Sequence, residues 1–263
     1  MINMTKTPMA DLQKTAKLSL AKHGLEADGK GGIKVRLVLD HSGSMSPWYR
    51  AGAVQRLTEQ VLGLASALDD DGTIEVWYFG SGVSAVHEVS LSQTDPGGMR
   101  TESRRSRLFG RSAGAVQPAV DPYYVGWVDR THPQQHWGST NYASAINAAA
   151  AYRRENHETE PSLVIFQTDG GPDSRGAANE ALRAVSGEDV FYAFVAFGED
   201  DAETNPQGAA AYMHSLNTLS GRVRDNASTY IAGSLETYAS VPDSVVYDGV
   251  LGEFVGQWLP QVL

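Results

Sequence analysis

The sequence predicts an α/β fold in which helices cover both faces of a mostly parallel central sheet. Short, nearly continuous apolar segments recur along the chain, and segments with the spacing of amphipathic helices alternate with them. Strands that are apolar at almost every position are typical of sheets buried on both faces. With 263 residues, the chain is also long enough to bury a large core in one or two domains.

The first half of the predicted fold begins with a β-branched, apolar strand at 33–39. Residues 49–68 follow as a helix, because apolar side chains recur there at spacings of three and four. A second central strand is predicted at 73–79. Residues 83–89 are expected to pair with a neighbouring strand, so that a Gly-Ser-Gly turn forms an antiparallel hairpin at the edge of the sheet.

The second half repeats this alternation of helix and strand. Helices are predicted at 141–152, 175–185, 209–219 and 244–262, and strands at 162–167, 190–197 and 230–232. Residues 95–135 interrupt the pattern with clustered arginines, several prolines and little periodicity, so we predict an irregular excursion there. We expect an N-terminal extension at 1–32 and one domain over 33–263.

Composition and charge exclude several classes of function. The 21 basic and 31 acidic residues give a net charge of −10, which argues against general binding to nucleic acid or anionic membranes. The absence of cysteine excludes disulfides, thiolate nucleophiles and cysteine metal sites. No apolar run approaches the roughly 20 residues of a membrane span. The first twelve residues lack the apolar stretch of a signal peptide, so we predict a cytoplasmic protein.

The basic residues are unevenly distributed. All six lysines lie in the first 34 residues, and five arginines cluster between 100 and 111. We interpret the arginine cluster as part of a solvated loop. A local contact with phosphate, nucleic acid or an acidic protein surface is the alternative.

Oxygen-bearing side chains are concentrated where two predicted strands end and one predicted helix begins. Asp40, Ser42 and Ser44 follow the first strand, Asp169 follows a later strand, and Thr140 precedes an alanine-rich helix. In open parallel sheets, ligands bind outside the carboxyl ends of the strands. Two carboxylates and three hydroxyls suit a hard divalent cation such as Mg²⁺. We therefore predict a metal site, although helix capping alone would account for Thr140.

The spacing Asp40-x-Ser42-x-Ser44, followed by Thr140 and then by Asp169 with a glycine after it, resembles the metal-ion-dependent adhesion site of von Willebrand factor A (vWA) domains. The resemblance runs from about residue 33 to the C-terminus. It implies a Rossmann-like fold, Mg²⁺ or alternatively Mn²⁺ or Ca²⁺, and a protein partner that presents a carboxylate. It also implies that the three hydroxyls are direct or nearly direct ligands, and that the two aspartates act directly or through water.

The chain further resembles the tellurium-resistance (TerF-like) branch of these domains. The resemblance lies in LSLAKHGL at 18–25, in WGSTNYA at 137–143, and in the Tyr-Asp and Trp-Leu pairs at 247–248 and 258–259. It implies a role in resistance to tellurite or another stress.

Three functions are compatible with such a site. We predict a non-enzymatic, metal-dependent interaction module in which a partner carboxylate completes the coordination of the ion. A magnesium-dependent phosphoester hydrolase is the alternative, because the same ion would polarise a phosphoryl oxygen. His41 is then the only convincing candidate for a general base, and no second carboxylate cluster suggests a two-metal site. A scaffold with a decayed metal site is disfavoured by the five intact ligand types.

Overall fold

A computed structural model describes residues 4, 6–26, 32–69, 72–92, 122–134 and 138–263. Six strands form one sheet in the order β3-β2-β1-β4-β5-β6. Their bounds are Lys34–Asp40 (β1), Thr73–Phe79 (β2), His87–Ser90 (β3), Ser162–Thr168 (β4), Val190–Phe197 (β5) and Ala227–Gly233 (β6). Among these six strands, β2 and β3 pair in antiparallel orientation and all other neighbours are parallel. The predicted fold class, including the antiparallel edge hairpin, is confirmed.

Helices cover both faces of this sheet. Their bounds are Met9–Lys22 (α1), Ser46–Arg50 (α2), Ala53–Leu68 (α3), Trp127–Thr131 (α4), Tyr142–Glu155 (α5), Arg175–Ala184 (α6), Ala209–Asn217 (α7), Leu235–Ser240 (α8) and Asp243–Glu253 (α9). After α9 the chain continues in a π-helical turn over Phe254–Trp258 and a 3₁₀ turn over Leu259–Gln261. Across the described ranges, no helix combines the length and apolar character that crossing a bilayer requires.

Alternate residues of the central strands contribute to two separate cores. In β1, Leu37 and Leu39 pack on the side of α1, α3 and α9, whereas Val38 packs on the side of α5, α6 and α7. Successive side chains of a strand point to opposite faces. Asp40 therefore shares the α5 side with Val38, and this parity determines which helix approaches its carboxylate.

The helix predicted at 49–68 is interrupted in the structure. Gly52 has a φ of +78°, and this left-handed conformation separates α2 from α3. The helix α2 begins earlier than predicted, with Pro47 in its first turn. It buries Trp48, whose ring stacks on Phe197 with the centroids 4.6 Å apart. The apolar spacing continues across the break, which is why periodicity alone does not reveal it.

The described end of the stretch predicted to be irregular contains α4. Trp127 is fully buried there and stacks on Tyr78 of β2. Gln55 of α3 accepts a hydrogen bond from the Val128 amide at 2.9 Å, which ties α4 to α3. A helix of five residues is too short to show a period in the sequence. The arginine cluster at 100–111 lies outside the described residues.

Helix α1 lies in the segment predicted to be an N-terminal extension, and it packs against α3 and α9. Its buried side chains include Leu12, Ala16 and Leu20. Gly63 of α3 permits the close approach, because a Cβ at that position would lie 2.9 Å from the Cβ of Leu12. The helix thus contributes to the same core as the sheet, and the domain boundary at residue 33 stays a prediction.

Candidate metal centre

The strand order creates a crevice at the carboxyl ends of β1 and β4. Strand β1 lies between β2 and β4, so the chain leaves β1 toward one edge of the sheet and leaves β4 toward the other. Ligands bind at such switch points in open α/β sheets. The register pairs Leu39 with Gln167, and the next residues, Asp40 and Thr168, therefore stand side by side at the crevice.

The loop after β1 places two serine hydroxyls beside Asp40. The Ser42 amide donates to Oδ1 of Asp40 at 2.7 Å, which closes a tight turn between residues two apart. A 3₁₀ turn over Gly43–Met45 follows. As a result, the Oγ atoms of Ser42 and Ser44 lie 3.1 Å apart.

Asp169 joins this cluster from the loop after β4. The Ser44 hydroxyl donates to Oδ1 of Asp169 at 2.8 Å. The structure thus brings together four of the five predicted ligands. Asp40 is fully buried and Ser42 is nearly so, whereas Asp169 is half-buried and Ser44 is exposed. The cluster therefore extends from the interior to the surface and is open to solvent at Ser44.

Thr140 is held at the same edge of the sheet through its backbone. Its amide donates to Oδ1 of Asp173 at 2.9 Å, and the Asp173 amide donates to the Thr140 carbonyl at 3.0 Å. The next amide, that of Asn141, donates to the carbonyl of Gly80 after β2. Within the described residues, no hydrogen bond joins the Thr140 hydroxyl to the other four predicted ligands. Thr140 thus lies at the crevice, and among the described residues it forms no hydrogen bond with the serine and aspartate cluster.

Two residues that support the site were not among the predicted ligands. The Thr168 hydroxyl donates to Oδ2 of Asp40 at 2.7 Å. The Tyr142 hydroxyl lies 3.1 Å from the Thr168 oxygen and donates to the carbonyl of Gly170. For Thr168 the sequence offers a signal, because this polar residue ends an otherwise apolar strand. An aromatic residue in the first turn of a helix carries no comparable signal, since it is usually part of the core.

Asp40 is buried and Asp169 is half-buried, and among the described residues neither carboxylate has a basic partner. Burial raises the pKa of Asp40 to about 6, although hydrogen bonds from Thr168 and Ser42 oppose the shift. Burial also raises the pKa of Asp169, against the hydrogen bond from Ser44. In the part of the chain that the structure describes, no lysine or arginine forms an ion pair with either carboxylate. Buried charges are normally paired or bound to metal, so this arrangement favours a cation.

The donor set fits a hard divalent ion. The described residues contain no group of three or more histidine, aspartate or glutamate side chains that suits a metal. The cluster offers instead two carboxylates, which formally balance a charge of +2, together with neutral hydroxyls. Mg²⁺ typically uses one or two carboxylates and keeps several waters, which matches this set. The ligand role of each residue stays a prediction.

His41 faces away from the hydroxyl cluster. Its side chain is buried, and Nε2 lies 3.2 Å from Nδ1 of His132. The ring also meets that of Tyr49 edge-on, with the centroids 5.1 Å apart. Since neighbouring side chains alternate at the strand end, His41 points to the α3 side while Asp40 points to the α5 side. This orientation places the candidate base of the hydrolase alternative away from the predicted ligands.

We expect Thr168→Val to weaken Mg²⁺ binding about tenfold, since loss of a group that orients a metal ligand typically costs 10–100-fold in affinity. Valine keeps the shape of the side chain and removes the hydroxyl that donates to Asp40. Isothermal titration calorimetry on the purified chain measures the change. As a matched control, Thr229→Val removes a hydroxyl that donates to the Met213 carbonyl. Equal affinities of Thr168→Val and wild type would contradict the supporting role.

Comparison with known proteins identifies the family. A family model described as "vWA found in TerF C terminus" matches residues 32–262. The chain is also similar to the uncharacterized protein YcbR of Bacillus subtilis (strain 168). The two are 28% identical over 250 residues, which cover 93% of this chain and 84% of the relative.

Solved structures are similar to this chain at low sequence identity. Proximal thread matrix protein 1 from the mussel byssus has a TM-score of 0.50 and 12% identity, covering 84% of this chain and 48% of the mussel chain. This chain therefore spans about half the length of the mussel protein. The manganese-loaded TRAP protein of Plasmodium vivax has a TM-score of 0.45 and 17% identity, covering 82% and 73% of the two chains. Since the family model matches nearly the whole chain, this protein belongs to the TerF-like family of von Willebrand factor A domains.

Proposed function

We propose that this chain is a metal-dependent protein-interaction module that captures an acidic group of a partner. The observation that carries the proposal is the fully buried carboxylate of Asp40, which has no basic partner among the described residues. It lies at the inner end of a hydroxyl cluster that opens to solvent at Ser44. Membership of the vWA family, whose domains generally mediate protein interactions, supports the proposal.

Each predicted ligand has a distinct role in this proposal. Asp40 and Asp169 supply the negative charge that balances a divalent ion. Ser42, Ser44 and Thr140 supply neutral oxygens, directly or through water. A Mg²⁺ ion held by two carboxylates and neutral hydroxyls would retain affinity for a further anionic oxygen, and in this way it would bind the carboxylate of the partner. The partner carboxylate approaches from the solvent side, where Ser44 is exposed.

Several further features are part of the same proposal. We place the vWA domain at 33–263, in a cytoplasmic protein, and prefer Mg²⁺ over Mn²⁺ or Ca²⁺ as the ion. A non-enzymatic role is favoured over phosphoester hydrolysis because His41 turns toward His132 and Tyr49. A role in resistance to tellurite or another stress rests on membership of the TerF-like branch.

The proposal is tested by recovering partners from lysate with the purified chain in millimolar Mg²⁺ or in EDTA. We expect a set of proteins that is retained in Mg²⁺ and lost both in EDTA and with Asp40→Asn. Asp225→Asn serves as control, since Asp225 is exposed and pairs with Arg222. Identical protein sets under all conditions would contradict metal-dependent capture. Magnesium-dependent turnover of a phosphoester that Asp169→Ala abolishes would favour the hydrolase instead.

A further inference from the structure

A cavity of about 340 Å³ opens beside the candidate metal centre, at the carboxyl ends of β4, β5 and β6. Its volume falls within the ~300–1,000 Å³ typical of ligand sites. The wall combines apolar side chains, among them Ala196, Met213 and Ile231, with the carboxylates of Asp169, Glu199 and Asp201. Asp169 thus belongs to both the cavity and the metal centre.

The connection between β5 and α7 makes one side of the cavity strongly acidic. Residues 199–203, here called the acidic loop, contain four carboxylates and no basic residue. Asp200 pairs with His214 at 2.8 Å, and Asp201 accepts a hydrogen bond from Asn205 at 3.0 Å. Over the described ranges, no lysine or arginine forms an ion pair with this loop. Most of its negative charge is therefore available to a ligand.

Three positive contributions are too small to reverse this charge, and the first is Arg175, which donates to the Gln207 and Gly208 carbonyls just before α7. The first turn of α7, at Ala209 and Ala210, also lines the cavity, and a helix N-terminus carries roughly half a positive charge. An ion at the metal centre is formally balanced by Asp40 and Asp169. Glu199 and Asp201 thus leave the cavity negative even when the metal centre is loaded.

We propose that this cavity receives a lysine or arginine of the same partner segment whose carboxylate binds at the metal centre. The inference rests on the proposed function and specifies the partner more closely. The aliphatic stem of such a side chain packs on Met213 and Ile231, and its charged head reaches Glu199 and Asp201. A purely acidic segment would be repelled by the acidic loop as it approached the ion. The partner therefore carries both signs of charge.

The shared wall determines the spacing of the two partner groups. Because Asp169 borders both sites, a single short segment spans them. An extended chain rises about 3.3 Å per residue, so a basic residue two or three positions from the acidic one lies about 7–10 Å away. The recognised segment is accordingly an aspartate or glutamate with a lysine or arginine within three positions.

The test uses a random peptide library displayed on phage and selected on the purified chain in Mg²⁺ and, in parallel, in EDTA. We expect the Mg²⁺ selection to enrich peptides in which an acidic residue has a basic residue within three positions. The double variant Glu199→Gln/Asp201→Asn should recover acidic peptides without that enrichment. A peptide synthesised from the wild-type selection should bind the double variant about fivefold more weakly, as expected for two partly solvated ion pairs.

A control variant and two outcomes separate this inference from the proposed function. Glu155→Gln/Glu180→Gln makes the same change in net charge at exposed positions of α5 and α6, and should behave as wild type. Selection in Mg²⁺ of acidic peptides without basic enrichment would overturn the cavity inference and leave metal-dependent capture intact. Equal recovery of the same peptides in EDTA would overturn both.

Discussion

In Mg²⁺ the wild-type chain will unfold at a higher temperature than in EDTA, and Asp169→Asn will remove most of that difference. A ligand that binds only the folded state stabilises it by about 2.7 kcal/mol at a hundred times its Kd. Asp169 supplies one of the two proposed carboxylate ligands. It also accepts a hydrogen bond from the Ser44 hydroxyl at 2.8 Å. Asparagine keeps the size of the side chain and an acceptor oxygen, and it removes the charge that the ion requires.

The same variant behaves differently in EDTA, which distinguishes loss of binding from misfolding. Without the ion, the Asp169 carboxylate is a half-buried charge, and burial raises its pKa. Removing that charge relieves part of the desolvation cost. We therefore expect Asp169→Asn in EDTA to be at least as stable as wild type, as measured by thermal unfolding followed by circular dichroism.

Asp225→Asn provides the matched control for this prediction. It makes the same chemical change on a carboxylate that is about half exposed and pairs with Arg222. This control should retain the full stabilisation by Mg²⁺. The metal assignment fails if wild type shows no stabilisation by Mg²⁺, or if Asp169→Asn shows as much as wild type.

The predicted ligands were accessible from the sequence because their positions along the chain imply their positions in space. Asp40 and Asp169 each follow an apolar strand, and the carboxyl ends of parallel strands meet at one edge of a sheet. The supporting contacts were not accessible in this way. The hydrogen bond from Thr168 to Asp40 joins residues 128 positions apart and depends on the register of β1 and β4. The pattern of a single sequence does not show which residues of two neighbouring strands lie side by side.

The elements of the fold differ in how well the sequence predicts them, and burial explains the difference. Strand β5 is buried at every position and was predicted at its observed bounds. Strand β6 lies at the edge of the sheet and is partly exposed, with Ser228 and Thr229 inside it. Only its last apolar residues were predicted, at 230–232. Edge strands have a mixed environment, so their pattern falls between that of a strand and that of a loop.

Arg36 is the largest departure from what the pattern of β1 indicates. An arginine in a strand usually marks a solvent-facing position, yet Arg36 is fully buried on the α5 side. Its Nη1 donates to Ser162 Oγ at 2.6 Å, its Nη2 pairs with Glu158, and its Nε lies 3.2 Å from a Glu75 oxygen. Burial raises the pKa of Glu75 to about 7, against the opposing effect of Arg36.

We expect Arg36→Met to lower the free energy of unfolding by about 3–5 kcal/mol, the usual cost of removing one partner from a buried ion pair. The change leaves the largely buried carboxylates of Glu75 and Glu158 without the guanidinium that pairs with both. The loss should grow with pH. The folded-state pKa of Glu75 already exceeds its ordinary value of 4.5, and without Arg36 it rises further. Both proteins lose the stability of the protonated carboxyl from about pH 4.5 upward. In wild type this decline ends near the folded-state pKa of about 7, so the extra loss of the variant grows above about pH 7.

Neutralising Glu75 in the same background tests this explanation. Arg36→Met/Glu75→Gln should regain much of the lost stability at about pH 8 and little at about pH 5, where the carboxyl of the single variant is already protonated. Urea unfolding at both pH values measures the difference. The control is Arg154→Met, since Arg154 is about half exposed and pairs with Glu188 at 2.6 Å. Its loss should stay below about 1 kcal/mol. An Arg36→Met loss of that small size, or one that is equal at both pH values, would show that the buried carboxylates do not depend on Arg36 for their charge.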